Sequence, residues 1–281
     1  MSPIHDQTYR RYHGVRTPPG RSWLVILSAG IRTMLGRKPF LGLMVLAWLP
    51  FIGYAIQIYG AAMYPQMTQI LNVGPRTFMS FLETQSPFLF FVTIYVGSGL
   101  IASDRRANAL QIYLSKPLMR IEYIGGKLAV LMAFLIFVTL VPALLLLILQ
   151  AMFAGNLGLI RNNPHVIPAI VLASLARVIV ASFTMLALSS LSKSTRYVAV
   201  LYTGAIFFTE AMYGVLRLVT GSSRVAWVSI GGNLNQITDA MFRQPLRYET
   251  PVVVSALVLI GLVVVSMSVL ERRVRAVEIV A

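Results

Sequence analysis

Three short stretches contain residue types found in nucleotide-binding or catalytic motifs, and each lacks a part that the chemistry needs. GSGLIA at 97–102 fits the dinucleotide pattern G-x-G-x-x-A, but it closes an apolar run and lacks the strand–turn–helix context. GGK at 125–127 lacks the earlier glycine and the following serine or threonine of a phosphate-binding loop. SLSK at 190–193 matches S-x-x-K without a partner motif. We therefore predict that the chain is not an enzyme, binds no cofactor itself, and uses 97–102 for close helix packing.

Metal and thiol chemistry has equally little support. The chain has no cysteine, which excludes disulfides, thiolate metal sites and a cysteine nucleophile. Its three histidines, His5, His13 and His165, do not cluster in the sequence. We predict no metal site.

The segment 103–127 is the most charged part of the chain between two apolar runs. It holds five basic residues, and Asp104 and Glu122 lie among them. Ser103 is a reasonable N-cap with Asp104 in the first helical turn, and Pro117 ends the helix that this start predicts. A second helix can begin near Met119 and run into the next apolar run. We expect an ordered segment parallel to the membrane, with a mixed charged and apolar face; in the alternative interpretation its charges only fix topology.

The rest of the chain must position this segment, and its composition indicates lipid as the solvent. Hydrophobic residues make up 57% and charged residues 12%, whereas soluble domains have roughly 25% charged residues. Six apolar runs approach or exceed the roughly 20 residues that cross a bilayer as a helix. They are predicted at 40–59, 87–102 (with a start as early as Thr77), 128–150, 166–188, 198–220 and 251–270. The predicted fold is an all-α, polytopic membrane protein with six transmembrane helices in a domain at 39–270.

The distribution of Lys and Arg predicts the orientation of these helices. The net charge is +15, and 17 basic residues lie in 1–38, 103–127, 189–197 and the tail 271–281, against six on the other side. By the positive-inside rule both termini and the 103–127 segment are cytoplasmic. The charge is thereby explained by topology and anionic lipid headgroups, and nucleic acid is not an expected partner.

The N-terminal segment 1–38 has a polar start without a signal-peptide core, followed by an amphipathic stretch. In 21–37 Trp23, Leu27, Ile31 and Leu35 recur every four residues, with Arg21 and Arg32 on other faces. This pattern predicts an interfacial helix on the cytoplasmic surface. Alternatively, the stretch extends the first transmembrane helix.

The sequence GLIASDRRANALQIYLSKPLMRIEYIGGKLAV, residues 99–130, resembles the cytoplasmic loop of type-2 ABC transporter permeases. In that family a span ends in small residues, followed by an acidic–basic stretch, a short amphipathic helix, a Lys/Arg–Pro turn, an R-x-E-Y segment and G-K. Asp104 stands where members usually have Glu. The layout also agrees over nearly the whole chain, from the interfacial helix through six spans to the short basic tail.

The resemblance implies an exporter-type permease in a bacterial inner membrane. Two permease subunits, identical or homologous, would form the pathway, and two separate ABC ATPase subunits would carry ATP and Mg. The loop would be the coupling helix, in which Asp104, Arg105, Arg106 and Arg120 are exposed charges that steer the ATPase, while Ile112 and Tyr113 anchor it. The predicted ATPase-coupling residues are Asp104, Arg105, Arg106, Ile112, Tyr113, Lys116, Arg120 and Glu122.

Arg177 lies near the middle of the fourth predicted span and Glu210 near the middle of the fifth. Arg177 and Glu210 fall at similar depth when measured from Lys193 and Arg196, and each is costly in lipid alone. We predict either a structural ion pair between Arg177 and Glu210 or a role of both residues in lining the transport path.

The segment 221–250, predicted on the outer side, is long for a connector. In the family this region often carries short helices that cap the pathway. Two other functions remain open on the residues alone: a membrane anchor or scaffold subunit of a larger complex, and a small secondary carrier. The latter usually shows an inverted repeat, which we do not detect.

Overall fold

The computed structural model describes residues 22–64, 72–108 and 119–275, which are helical with short connections and contain no strand. Six helical segments are long and apolar enough to cross a membrane. We call them the first to sixth spans: Lys38–Met63, Pro75–Arg106, Arg120–Phe153, Val166–Leu191, Thr195–Thr220 and Val252–Val274. The predicted class, an all-α polytopic membrane protein with six transmembrane helices, is confirmed.

The second span is longer than the predicted run 87–102, and its start agrees with the earlier predicted start at Thr77. It begins at Pro75, and its last turn, Ala102–Arg106, contains the start of the predicted coupling helix. The third span begins at Arg120, before the predicted 128. The predicted coupling residues Ile112, Tyr113 and Lys116 lie outside the described residues, so their roles stay predictions.

Proline divides the first two spans into shorter helices. The first consists of Lys38–Ala47 and Leu49–Met63, which meet at Trp48 just before Pro50. The second consists of Pro75–Thr84, Ser86–Gly97 and Ala102–Arg106, with its first break at Gln85 before Pro87. A proline has no N–H and its ring clashes with the carbonyl four residues earlier, so a helix bends or stops there.

The third span remains one helix through Pro142, and Gln85 explains how the freed backbone group is satisfied. Pro142 cannot donate to the carbonyl of Val138, four residues earlier. The Gln85 amide donates to that carbonyl at 2.8 Å and to the carbonyl of Ala47, at the break of the first span, at 2.7 Å. Gln85 is fully buried. One amide therefore joins three spans at the points where proline interrupts helical bonding.

The core of the bundle lies around the second, third and fourth spans. In their most apolar stretches 50%, 50% and 56% of the residues are buried, compared with 17% in the first, fifth and sixth spans. The third span packs against the first, second and fourth, and the fourth also packs against the fifth and sixth. Aromatic contacts reinforce this core, such as the edge-to-face pair Phe40–Phe134 with ring centroids 4.8 Å apart.

The N-terminal helix Ser22–Leu35 is separate from the first span, which begins three residues later at Lys38. The alternative in which it extends the first span therefore does not hold. It packs closely on the third span, because a Cβ at Gly30 would lie 2.5 Å from Val130 Cγ2. Trp23 and Leu35 are exposed. Its predicted position at a membrane surface stays a prediction.

Within the part of the chain that the structure describes, three shorter helices occupy connections between spans. Gly158–Asn162 lies between the third and fourth spans. Gly221, with φ of 67°, ends the fifth span in the left-handed conformation that glycine adopts without strain. The 3₁₀ helix Ser223–Val228 and the helix Ile230–Met241 follow before the sixth span. We call Ile230–Met241 the cap helix; it packs against the fourth and sixth spans.

Candidate functional site

The acidic residue that opens the 103–127 segment is held by the segment's other end. Asp104 Oδ2 lies 2.7 Å from Lys127 Nζ and accepts a hydrogen bond from the Tyr123 hydroxyl at 2.8 Å. The Lys127 ammonium also lies 5.6 Å from the centre of the Tyr123 ring. We call Asp104, Tyr123 and Lys127 the Asp104 cluster. It joins the end of the second span to the first turns of the third.

The prediction that Asp104 is an exposed charge needs correction. The Asp104 side chain is 16% exposed and the Lys127 side chain 14%, so the two charges form a largely buried ion pair. The physical reason is that the two spans meet closely here, which brings charges of opposite sign together out of bulk water. Asp104 therefore stabilises the contact between the second and third spans and presents little charge to a docking partner.

The neighbouring basic residues differ in exposure. The Arg105 guanidinium donates to the backbone carbonyl of Ser190, at the end of the fourth span. Arg106 is exposed, and Arg120 is half-buried at the start of the third span. Arg106 is thus the described coupling candidate whose charge is most accessible.

Glu122 performs a local structural task. It is buried at the third position of the third span, and its Oε2 accepts from the backbone N–H of Met119 at 3.2 Å. This contact satisfies a donor that the first turn of a helix leaves without an intrahelical partner. Its negative charge also suits the positive end of the helix dipole.

The small-residue stretch 97–102 serves packing, as predicted. A Cβ at Gly97 would lie 2.4 Å from Met185 Cγ in the fourth span. Where the helix breaks after Gly97, Ser189 Oγ accepts from the backbone N–H groups of Ile101 and Ala102, at 3.2 and 3.1 Å. The fourth span therefore fixes the segment that leads into Asp104.

The predicted pair of Arg177 and Glu210 is not formed. Glu210 Oε1 instead accepts from the Ser229 hydroxyl at 2.6 Å and from the backbone N–H of Gly231 at 3.1 Å. These donors lie at the N-terminus of the cap helix, where free N–H groups and the helix dipole favour a carboxylate. Arg177 is 3% exposed, and its two terminal nitrogens have no hydrogen-bond partner among the described residues.

A second charged cluster, which the sequence analysis did not single out, consists of Glu83, Asp239 and Arg247. The Arg247 guanidinium donates to Asp239 Oδ1 at 3.0 Å and also binds Glu83 at the start of the second span. Asp239, in the cap helix, is fully buried. We call these residues the Arg247 cluster. It fixes the cap helix and the segment after it to the second span.

The electrostatics of the Arg247 cluster reflect competition between burial and pairing. Burial raises the pKa of Asp239 above its ordinary value, against the opposing effect of Arg247. The hydrogen bond to Glu83, followed by the charges of both carboxylates, raises the pKa of Arg247 despite partial burial. Asp239 and Arg247 are two of the five charged residues in 221–250, and no sequence pattern connected them to Glu83.

Within 22–64, 72–108 and 119–275, no three Asp, Glu or His side chains come together as a metal site. Comparison with models of protein families finds no match for this chain. No curated protein matches it either.

Proposed function

We propose that the chain is the membrane-spanning permease subunit of an ATP-driven ABC transporter of the type-2, exporter class. ATP and Mg are bound by a separate ATPase subunit, and the 103–127 segment is where that subunit docks. The observation that carries the proposal is the attachment of both ends of this segment to the helical bundle. Its sequence resemblance to the coupling loop of such permeases supplies the functional assignment.

A coupling segment must transmit displacement, and the contacts at its ends suit that task. Asp104 binds Tyr123 and Lys127 in the third span. Arg105 binds the carbonyl of Ser190 in the fourth. Because close-packed helices move as rigid elements, a partner that pushes on the segment would displace three spans together.

The docking surface in this proposal centres on Arg106. It is the exposed arginine of the short helix Ala102–Arg106, and like charges elsewhere at this end, Lys193 and Arg196, are also exposed. Exposed arginines of this kind steer an acidic partner surface. The predicted apolar anchors Ile112 and Tyr113 complete the surface.

A second permease subunit is the other partner in the proposal, and the fifth span supports it. This span exposes Phe207, Phe208 and Leu218, and Glu210 between them is exposed as well. A carboxylate on the outer face of a transmembrane helix is costly in lipid. A second copy packed on this face would remove Glu210 from lipid.

The localisation we propose is a bacterial inner membrane with both termini cytoplasmic. The bias of 17 to 6 basic residues supports this orientation.

The test is purification of the chain from its native membrane in mild detergent, with mass spectrometry of the proteins that accompany it. We expect an ATPase with a phosphate-binding loop, lost when Arg106→Ala and Tyr113→Ala are combined. Arg161→Ala, an exposed arginine in the connection between the third and fourth spans, is the matched control and should retain it.

A stable complex that contains no ATPase would contradict the proposal and favour an anchor or scaffold subunit. An ATPase retained equally by the double variant and the control would place its docking surface elsewhere on the chain.

A further inference from the structure

A cavity of about 190 Å³ lies between the second, fourth and fifth spans and the cap helix. Most of its wall is apolar, formed by Leu89, Phe90, Ile206 and Leu234 among others. Sites for drug-sized ligands measure roughly 300–1,000 Å³. The cavity therefore admits a small molecule or the end of a larger one.

Arg177 is one of the residues that line this cavity. Its side chain is 3% exposed, and Nη1 and Nη2 are buried and have no hydrogen-bond partner within the described part of the chain. An arginine stays charged under all ordinary conditions and presents donors in a planar fork. Burying such a group without acceptors is costly, so a ligand in the cavity that reaches these nitrogens would supply the acceptors they lack.

Among the residues that the structure describes, the nearest carboxylates do not supply hydrogen bonds to Arg177. Glu83 and Asp239 are close enough to act on Arg177 electrostatically, as is Arg247. Arg247, however, binds both carboxylates directly. Arg177 thus receives attraction at longer range and no hydrogen bond from them.

Glu210 is occupied as well. Its Oε1 accepts from Ser229 and Gly231 at the start of the cap helix. Gly231 lines the same cavity, so this bond also holds the cap helix in place over it.

We propose that this cavity binds a small amphiphile through one oxyanion group, which pairs with the Arg177 guanidinium while its apolar part packs against Phe90 and Leu89. A planar carboxylate can accept two parallel hydrogen bonds from the fork. Thr184 and Asn235 line the cavity and offer further polar groups. The site does not depend on the transport function proposed above, since a scaffold subunit could carry it equally.

The test uses the purified full chain in nanodiscs of phosphatidylcholine, with benzoate as the probe and benzamide as its neutral isostere. By isothermal titration we expect benzoate to bind with a Kd at least tenfold lower than that of benzamide. Arg177→Gln should abolish this difference. Arg196→Gln removes one positive charge at an exposed position and should leave it unchanged.

A second variant keeps the test decisive if Arg177→Gln does not fold. Ala181 lines the cavity one helical turn from Arg177, and Ala181→Leu narrows the space while the arginine remains. We expect this variant to raise the Kd for benzoate at least tenfold. Equal binding of benzoate and benzamide to the wild-type chain, or selective binding retained by the cavity variants, would overturn the proposal.

The source of the oxyanion is distinguished by adding phosphatidylglycerol to the nanodiscs. If a lipid headgroup occupies the site, benzoate binding weakens, and native mass spectrometry shows a retained lipid that Arg177→Gln loses. If the ligand is a soluble molecule, benzoate binds equally in both lipids. A wild-type chain that binds neither benzoate nor an anionic lipid in an Arg177-dependent way would refute the site.

Discussion

The Asp104 cluster and the Arg247 cluster are built on the same span and differ in depth and reach. Asp104 retains 16% of its exposure and binds Tyr123, 19 residues away in sequence. Asp239 is fully buried. Arg247 connects it to Glu83, which lies 164 residues before Arg247 in the sequence. The first cluster joins consecutive spans, whereas the second joins the second span to the segment just before the last. We therefore expect the loss of an ion-pair partner to lower the free energy of unfolding most where the remaining charge is fully buried and water cannot solvate it.

The largest effect is expected from Arg247→Met. This change leaves the Asp239 carboxylate buried without its cation, and we expect the free energy of unfolding to fall by about 3 kcal/mol. Unfolding of the purified chain in detergent measures it. Arg243→Met, at an exposed position four residues earlier, should change stability by less than about 0.5 kcal/mol. Equal losses of stability in Arg247→Met and Arg243→Met would show that the contact of Arg247 with buried Asp239 does not cause the effect.

Gln85→Leu tests whether burial, rather than charge, sets the cost. The amide donates to the carbonyls of Ala47 and Val138, and both would lose their donor in the core. We expect a loss of about 2 kcal/mol, between the effects at the two charged clusters. Adding Pro142→Ala should recover part of this loss, because residue 142 could then donate to Val138. No recovery would mean that the Val138 carbonyl finds another donor.

A smaller effect is expected at the Asp104 cluster. A double-mutant cycle of Asp104→Asn and Lys127→Met should give a coupling energy of about 1 kcal/mol, because neither side chain is completely buried. High salt should reduce this coupling more than the coupling between Asp239 and Arg247, because the Asp239 side chain is fully buried. A coupling of about 3 kcal/mol at Asp104 would make the two clusters energetically equivalent.

The smallest effect is a pH dependence of the free energy of unfolding, contributed by Asp239 of the Arg247 cluster. Burial raises the pKa of folded Asp239 above the ordinary value of 3.8, so the folded chain binds the proton more tightly. The stabilisation is therefore complete below 3.8 and is lost as the pH rises through the folded pKa. Thermal unfolding of the wild-type chain and Asp239→Asn across this range should show the wild type losing stability relative to the variant. An identical pH profile would contradict the raised pKa.

Much of the fold could be predicted because lipid solvation leaves a strong mark on composition. Apolar runs of about 20 residues indicated all six spans, and the first begins within two residues of its predicted start at 40. The second span was placed too short, since the helix Pro75–Thr84 is polar on one face and lacks a continuous apolar run. Its polar side chains, such as Glu83, are compensated by contacts with the cap helix segment that no local pattern reveals.

The candidate site was predictable in part for a similar reason. The charges at 103–127 stand out between apolar runs, but their partners depend on how the spans meet. Lys127 pairs with Asp104, for example, although the two residues are 23 positions apart in the sequence. Equal depth suggested a pair of Arg177 and Glu210, but depth says nothing about the direction in which each side chain points around its helix.

Lipid as the solvent of this protein, its six spans and the segment where its charges gather can all be read from the sequence. These properties follow from composition and from the fixed rise of a helix, which are local. Three arrangements come from packing instead: Gln85 satisfies the carbonyl freed by Pro142, Arg247 joins Glu83 to Asp239, and Arg177 lines a cavity. Those arrangements depend on the rotation of each helix about its axis, which is set by packing against several neighbours at once.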